Sequence, residues 1–413
     1  MKIRGDIHFT YCSNIHPGES WDETFQALKN NAPMVKERVA PDQAMGIGLR
    51  LSARAAEELL GGNNLSEFQY WLSCYNLYVF TINGFPYGGF HNVRVKDDVH
   101  RPDWSTPERL MYTRRLIDIL SALLPPGMEG SISTSPLSYR PWFRGDLTAI
   151  GEVTRVATEN LVELAVYLGE LERNKGILIH INLEPEPDGL LENSNDVMEY
   201  YSHYLLKQGK ASFQRRSGMS ADEAGKALRR YIRICYDVCH FALAFEEIED
   251  VVSAWNTLGV KIGKVQISAA LEARLSGISS DDRQTIDELF LFDEPTYLHQ
   301  VVMESDKEAE KIHYSDLTAT DRSDLTRKSS GRIRVHFHVP VFVSRYGRLF
   351  STQEEIVKTL RYLERAPVAP HWEVETYTWT VLPEDMRSEL AVSIAREMRW
   401  TLERFAELTS TQS

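Results

Sequence analysis

Short runs rich in β-branched and aromatic residues alternate with longer stretches of helical spacing from one end of the chain to the other. The runs span 5–12, 45–52, 77–85, 128–135, 176–184, 232–239, 262–268, 333–340 and 371–379, and each predicts a strand. Between them the apolar residues recur by threes and fours. Ile150, Val153, Ala157, Leu161, Leu164, Leu168 and Leu171 make one stripe, and Met386, Leu390, Ile394, Met398, Leu402 and Phe405 make another. Such spacing buries one side of a helix and leaves charges on the other.

Repeated strand–helix alternation implies a parallel sheet covered by helices, either an open doubly wound sheet or a closed (β/α)8 TIM barrel. Three features favour the barrel. One alternation of the strands is polar, as in His180-Ile181-Asn182-Leu183-Glu184, whereas an open sheet buried on both faces is apolar throughout. The polar residues gather at the C-terminal ends of the strands, where barrel active sites form. No glycine-rich nucleotide fingerprint follows any strand. Nine runs for eight positions leave one over. The run 333–340 follows a polar stretch, 314–332, that reads as a mobile loop. The expectation is a single barrel domain over 1–413, with a loop and helix insertion at about 269–340, after the seventh strand.

Composition narrows the function. The 413 residues carry 46 Lys+Arg against 59 Asp+Glu, a formal charge of -13, which argues against a nucleic-acid binder. Four cysteines are too few for a disulfide scaffold and read as buried free thiols in a reducing compartment. No apolar stretch approaches the roughly 20 residues that span a bilayer, and the first residues lack a signal-peptide core. The expectation is a cytoplasmic protein, not membrane-embedded, acting on a small molecule.

Candidate chemistry clusters at the strand ends. In Leu183-Glu184-Pro185-Glu186-Pro187 the prolines end the strand, and alternation puts Asn182, Glu184 and Glu186 on the lumen side. Asp237 ends the sixth run with His240 three residues on, a spacing that can set a carboxylate on a metal and an imidazole beside it; capping of the next turn is the bland alternative. In the last run Glu373 and Glu375 share a face with Tyr377. Carboxylates facing a lumen need compensation, and a divalent cation at Glu184, Asp237 and Glu375 supplies it. Gln266 lies on the lumen alternation of the seventh strand with an amide oxygen to add. His336 and His338 share a face and can bind metal or substrate. His8 and His16 near the first strand, and Asn83 in Asn83-Gly84-Phe85-Pro86, complete the candidate substrate contacts. No Gly-x-Ser-x-Gly elbow or His-Glu-x-x-His pair is present, which lowers the hydrolase and metalloprotease readings.

The stretch Tyr11 to Trp21, the Asn83-Gly84-Phe85-Pro86 loop and the Leu183–Pro187 turn resemble the EboE family of metabolite traffic proteins, within the xylose-isomerase-like TIM barrels. The resemblance covers nearly the whole chain. It implies a bacterial or algal protein encoded with a few partners, among them a prenyltransferase-like membrane protein, the group together helping to make or move a precursor metabolite towards the cell envelope. The wider superfamily holds a divalent metal with residues of strands five to eight. Glu184, Asp237 and Glu375 match three of these positions, and His240 matches a substrate-contacting histidine. Gln266 stands where histidine is usual.

The combined expectation is a metal-dependent sugar or sugar-phosphate isomerase or epimerase. Glu184 and Glu375 exchange the proton beside His240, and one Mn2+ or Mg2+, in preference to Zn2+, sits on Glu184, Asp237, Gln266 and Glu375. A non-catalytic metabolite escort on the same scaffold is the alternative. Metal-dependent phosphodiester cleavage is disfavoured by charge and by the absence of a rich histidine cluster.

Overall fold

The computed structural model describes residues 1–91, 95–306, 311–327, 330–380 and 389–410. Eight parallel strands form its centre: Ile7–Tyr11, Met45–Arg50, Leu77–Asn83, Gly130–Thr134, Ile179–Leu183, Ile232–Asp237, Ile262–Ile267 and His371–Val374. From the second to the eighth, each pairs with the next in sequence order, and the eighth returns to pair in parallel with the first. A bridge between Cys12 and Gly48 joins the first strand to the second, so the sheet curls into a TIM barrel. Each of the eight predicted runs assigned to the barrel contains one of these strands. A short N-terminal strand, Lys2–Arg4, folds back on the first as an antiparallel hairpin.

Helices cover the outside because their starts are capped and one stripe of each is apolar. Ser20 and Glu23 form a reciprocal capping box ahead of helix Trp21–Val39, which buries Trp21, Leu28, Ala32 and Val35. The predicted stripe from Ile150 to Leu171 lies in helix Leu147–Lys175, ended by Gly176 in the left-handed region. The last helix, Leu390–Ser410, buries Ile394, Met398 and Phe405; Met386 lies outside the described residues.

Between the seventh and eighth barrel strands, where the sequence predicted loop and helix, the structure has a second sheet. Its six antiparallel strands run in the order Ile312–Tyr314, Val301–Ser305, Gly331–Val335, Leu271–Leu275, Leu349–Ser351 and Arg345–Tyr346. The leftover ninth run thus overlaps only the end, Ile333–Val335, of an interior strand of this sheet, and the sheet extends to Ser351 rather than ending near 340. The stretch expected as a mobile loop begins at the last residue of strand Ile312–Tyr314 and carries a short helix, Arg322–Arg327. Apolar residues of the inserted sheet, Val335 and Leu271 among them, share one buried cluster with barrel residues such as Ile267.

The lumen is polar. Lys264 and Glu373 pair inside it with both side chains fully enclosed. Gly48 makes room for them: a Cβ there would collide with the Glu373 carboxylate. Outward positions of the same strand, such as Trp372, pack on the helices instead, against Phe405.

Candidate functional site

Three carboxylates meet at the C-terminal mouth of the barrel. Glu184 and Glu375 lie one residue past the fifth and eighth strands, and Asp237 ends the sixth. All are buried, and one oxygen from each lies within 4.8 Å of the others. Their remaining contacts are unequal. Glu375 Oε1 accepts from Asn14 Nδ2 at 2.7 Å and Asn83 Nδ2 at 2.8 Å. Asp237 Oδ1 accepts from Ser268 Oγ at 2.6 Å and from the His240 amide at 3.2 Å, which caps helix Val238–Leu243. Among the described residues, Asp237 Oδ2 and Glu184 Oε2 are buried without a donor. The capping and metal-ligand readings of Asp237 are therefore compatible, one oxygen serving each.

Electrostatics separates the three. Burial pushes Glu184 and Glu375 well above the usual carboxylate range, neighbouring carboxylates push the same way, and Lys264 opposes them. Burial would also raise Asp237, but His240, His338 and the two donors on Oδ1 hold it below its ordinary value. The mouth thus combines an ionised Asp237 with two carboxyls that favour holding protons, a division suited to proton transfer.

Three histidines stand beside them. His240 Nε2 is 3.2 Å from His336 Nε2, which is 3.3 Å from His338 Nε2. His338 Nε2 is 4.0 Å from Asp237 Oδ2. The insertion supplies His336 and His338, just past its strand Gly331–Val335. The expected absence of a histidine cluster is therefore wrong: sequence separation hid one that the insertion completes. Burial lowers His338 to about 4, although Asp237 pulls upward. Burial and the neighbouring His240 push His336 well below the usual range.

A cavity of about 40 Å³ lies among these groups, lined by Asn14, Asn83, Glu184, Glu186, His240, His336, His338 and Glu375. That volume holds an ion and a few waters. Phe90 and Tyr377, which also line it, pack with Tyr297 in tilted and edge-on arrangements at ring separations of 5.1–5.3 Å. Larger clefts, of 530 and 480 Å³, lie around Arg233 with Lys261 and around His8 with His371, away from the three carboxylates.

The predicted site residues divide accordingly. Glu184, Glu186, Glu375, His240, His336, His338 and Asn83 all line the cavity, and Asp237 sits against it. His8 does not reach it. It lies at the opposite, N-terminal end of its strand, where Nδ1 meets the Tyr78 hydroxyl at 2.8 Å. His16 is buried against the Tyr11 hydroxyl, 3.1 Å from Nε2, and does not line the cavity. Gln266 lies on the lumen face, but its Oε1 accepts from Cys235 Sγ at 3.2 Å, so the oxygen expected on a metal is already engaged. Of the cysteines, Cys12, Cys235 and Cys239 are buried, while Cys74 is exposed at the end of a surface helix.

Residues beyond the predicted set also build the site. Asn14 clamps Glu375, and Gln300 orients His336 through a 2.8 Å contact from Oε1 to Nδ1. Lys264 and Glu373 set the field in the lumen. Lysine on the same alternation as Gln266 was the available signal, since a lumen-facing ammonium needs a carboxylate on the next strand. Gln300 gave none, because its position depends on the fold of the insertion.

Among the described residues no helix is long and apolar enough to cross a membrane. No protein-family model matches the chain, and no curated protein matches it. Among solved structures, the chain is similar to a xylose isomerase-like TIM barrel protein from Mycobacterium smegmatis in complex with magnesium, at 12% identity over 97% of each chain and a TM-score of 0.49. It is similar to the IolI protein with a binding zinc atom, at 10% identity over 97% of this chain and 99% of that one, with a TM-score of 0.46. A xylose isomerase domain containing protein from Salmonella typhimurium is 14% identical over 98% of this chain and 99% of that one, with a TM-score of 0.43.

Proposed function

We propose that this chain is a divalent-metal-dependent isomerase or epimerase of a sugar, sugar phosphate or related hydroxy-carbonyl metabolite, acting in the synthesis or traffic of a precursor. Three buried carboxylates that converge, with two oxygens that lack donors among the described residues, carry this reading. Such an arrangement repels itself unless protons or a cation compensate it. The residues fit a hard cation: Glu184, Asp237 and Glu375 would hold it, and an all-oxygen set suits Mg2+ or Mn2+. When bound, the ion would polarise a substrate carbonyl and stabilise charge on its oxygen.

The chain's own groups supply the rest. Glu184 and Glu375 serve as the pair that removes a proton from one carbon and returns one to its neighbour, and their raised affinity for protons matches that task. Asn14 and Asn83 fix Glu375 through Oε1 and leave Oε2 for chemistry. His240 donates from Nδ1 to the Pro185 carbonyl at 2.8 Å, which holds its Nε2 toward the cavity. Phe90 and Tyr377 shield the reacting carbons from bulk water.

Solvent deuterium incorporation into a panel of ketoses and their phosphates, with Mn2+ or Mg2+ present, tests the proposal. Exchange that is lost in Glu184→Gln supports it. Tight binding of a panel member without exchange favours the escort reading, which the engaged oxygen of Gln266 also supports.

A further inference from the structure

The three histidines at the mouth are held in one tautomer. His240 Nδ1 faces the Pro185 carbonyl at 2.8 Å, and His338 Nδ1 faces the Glu375 carbonyl at 2.9 Å. A carbonyl only accepts, so both Nδ1 atoms carry hydrogen. His336 Nδ1 faces Gln300 Oε1 at 2.8 Å, and Gln300 Nε2 donates to the Pro187 carbonyl at 3.1 Å. That second bond fixes the amide with its oxygen toward His336, so this Nδ1 also donates. In the neutral rings every Nε2 is then a bare lone pair.

These lone pairs point at one another. The separations are 3.2 Å from His240 to His336 and 3.3 Å from His336 to His338. Two nitrogens bound about 2.05 Å from one tetrahedral ion lie about 3.3 Å apart. Lone pairs at that spacing repel unless something positive sits between them. Each Nδ1–H bonded to a carbonyl-type acceptor is the arrangement that orients metal-bound imidazoles. Asp237 Oδ2, which has no donor among the described residues, is 4.0 Å from His338 Nε2. Cys239 Sγ falls within 4.8 Å of His336 and His338, but it donates to the Phe337 carbonyl at 3.3 Å.

We propose that His240, His336 and His338 form a second metal site through their Nε2 atoms, selective for Zn2+ or a similar imidazole-seeking ion, next to the carboxylate site and sharing Asp237 with it. Imidazole donors suit zinc, while the carboxylates suit Mg2+ or Mn2+, so the mouth is built for two different ions. This inference stands apart from the isomerase reading, because His336 contributes nothing to the carboxylate set.

The test is zinc-edge anomalous diffraction on full-length protein equilibrated with Zn2+, paired with elemental zinc counts per chain for wild type, His336→Ala and Glu375→Gln. A peak about 2.1 Å from the three Nε2 atoms is expected. The His336→Ala variant loses that peak and one zinc per chain, whereas Glu375→Gln keeps the peak. Absence of a peak among the imidazoles overturns the second site, as does an unchanged zinc count in His336→Ala. The diffraction result needs no variant, so misfolding of His336→Ala does not remove the test. Loss of density between the carboxylates alone would count against the isomerase reading and leave the histidine site standing.

Discussion

Replacing Lys264 by Met removes the cation paired with Glu373 inside the barrel, where both side chains are fully enclosed. A buried carboxylate left without its partner costs about 3–5 kcal/mol. Unfolding entropy near 60 °C scales to roughly 0.9 kcal/mol/K for the 413-residue chain, so Tm should fall by about 3–6 °C. The pH dependence has a definite sign. Burial raises the folded pKa of Glu373 above its unfolded value even with Lys264 opposing, and removing Lys264 raises it further. The folded state then holds the proton more tightly, so stability is lost as pH rises above the unfolded value near 4.5. The variant's deficit should therefore be small at pH 5 and large at pH 8. Thermal melts followed by circular dichroism at both values, in metal-free buffer, measure it. A second variant, Lys264→Met with Glu373→Gln, should recover most of the loss. A deficit equal at the two pH values, or no recovery in the double variant, would refute the reasoning.

Other outcomes follow from named contacts. Glu184→Gln and Glu375→Gln should each lower proton exchange by about 10²–10⁴-fold while leaving the circular dichroism spectrum unchanged; a rate within threefold of wild type removes that carboxylate from the chemistry. Gly48→Ala should cost about 1–3 kcal/mol in denaturant melts, since its Cβ meets the Glu373 carboxylate, and an unaffected midpoint contradicts the packing described. Glu397 is buried, accepts from Val341 N, Thr376 Oγ1 and Trp379 Nε1, and is raised by burial to about 7. Its contribution to stability is therefore lost between pH 4.5 and about 7, by about 3 kcal/mol, and Glu397→Gln should flatten that part of the stability–pH curve.

The sequence shows the barrel because a period of two on the strands and a period near 3.6 on the helices survive along the whole chain. The polar lumen was legible for the same reason: His180, Asn182 and Glu184 alternate with Ile181 and Leu183. The inserted sheet was not. Its strands are short, and Leu271–Leu275 interrupts apolar residues with charges in a way that also suits a helix or loop. Alternation also says which face a residue takes but not its height along the barrel axis. His8 and Glu375 both face the lumen, yet one lies at the N-terminal end of its strand and the other past the C-terminal end of its own. The histidine cluster needed a path from strand Gly331–Val335 back to the mouth, which no local pattern encodes.

The central claim is that Glu184, Asp237 and Glu375 hold a divalent ion. Manganese-edge anomalous diffraction on protein equilibrated with Mn2+ tests it most directly. The account predicts one peak within bonding distance, about 2.0–2.3 Å, of an oxygen from each of the three carboxylates. A map with no peak among them, and with Lys264 or another cation turned onto Glu184 Oε2 and Asp237 Oδ2 instead, would contradict it.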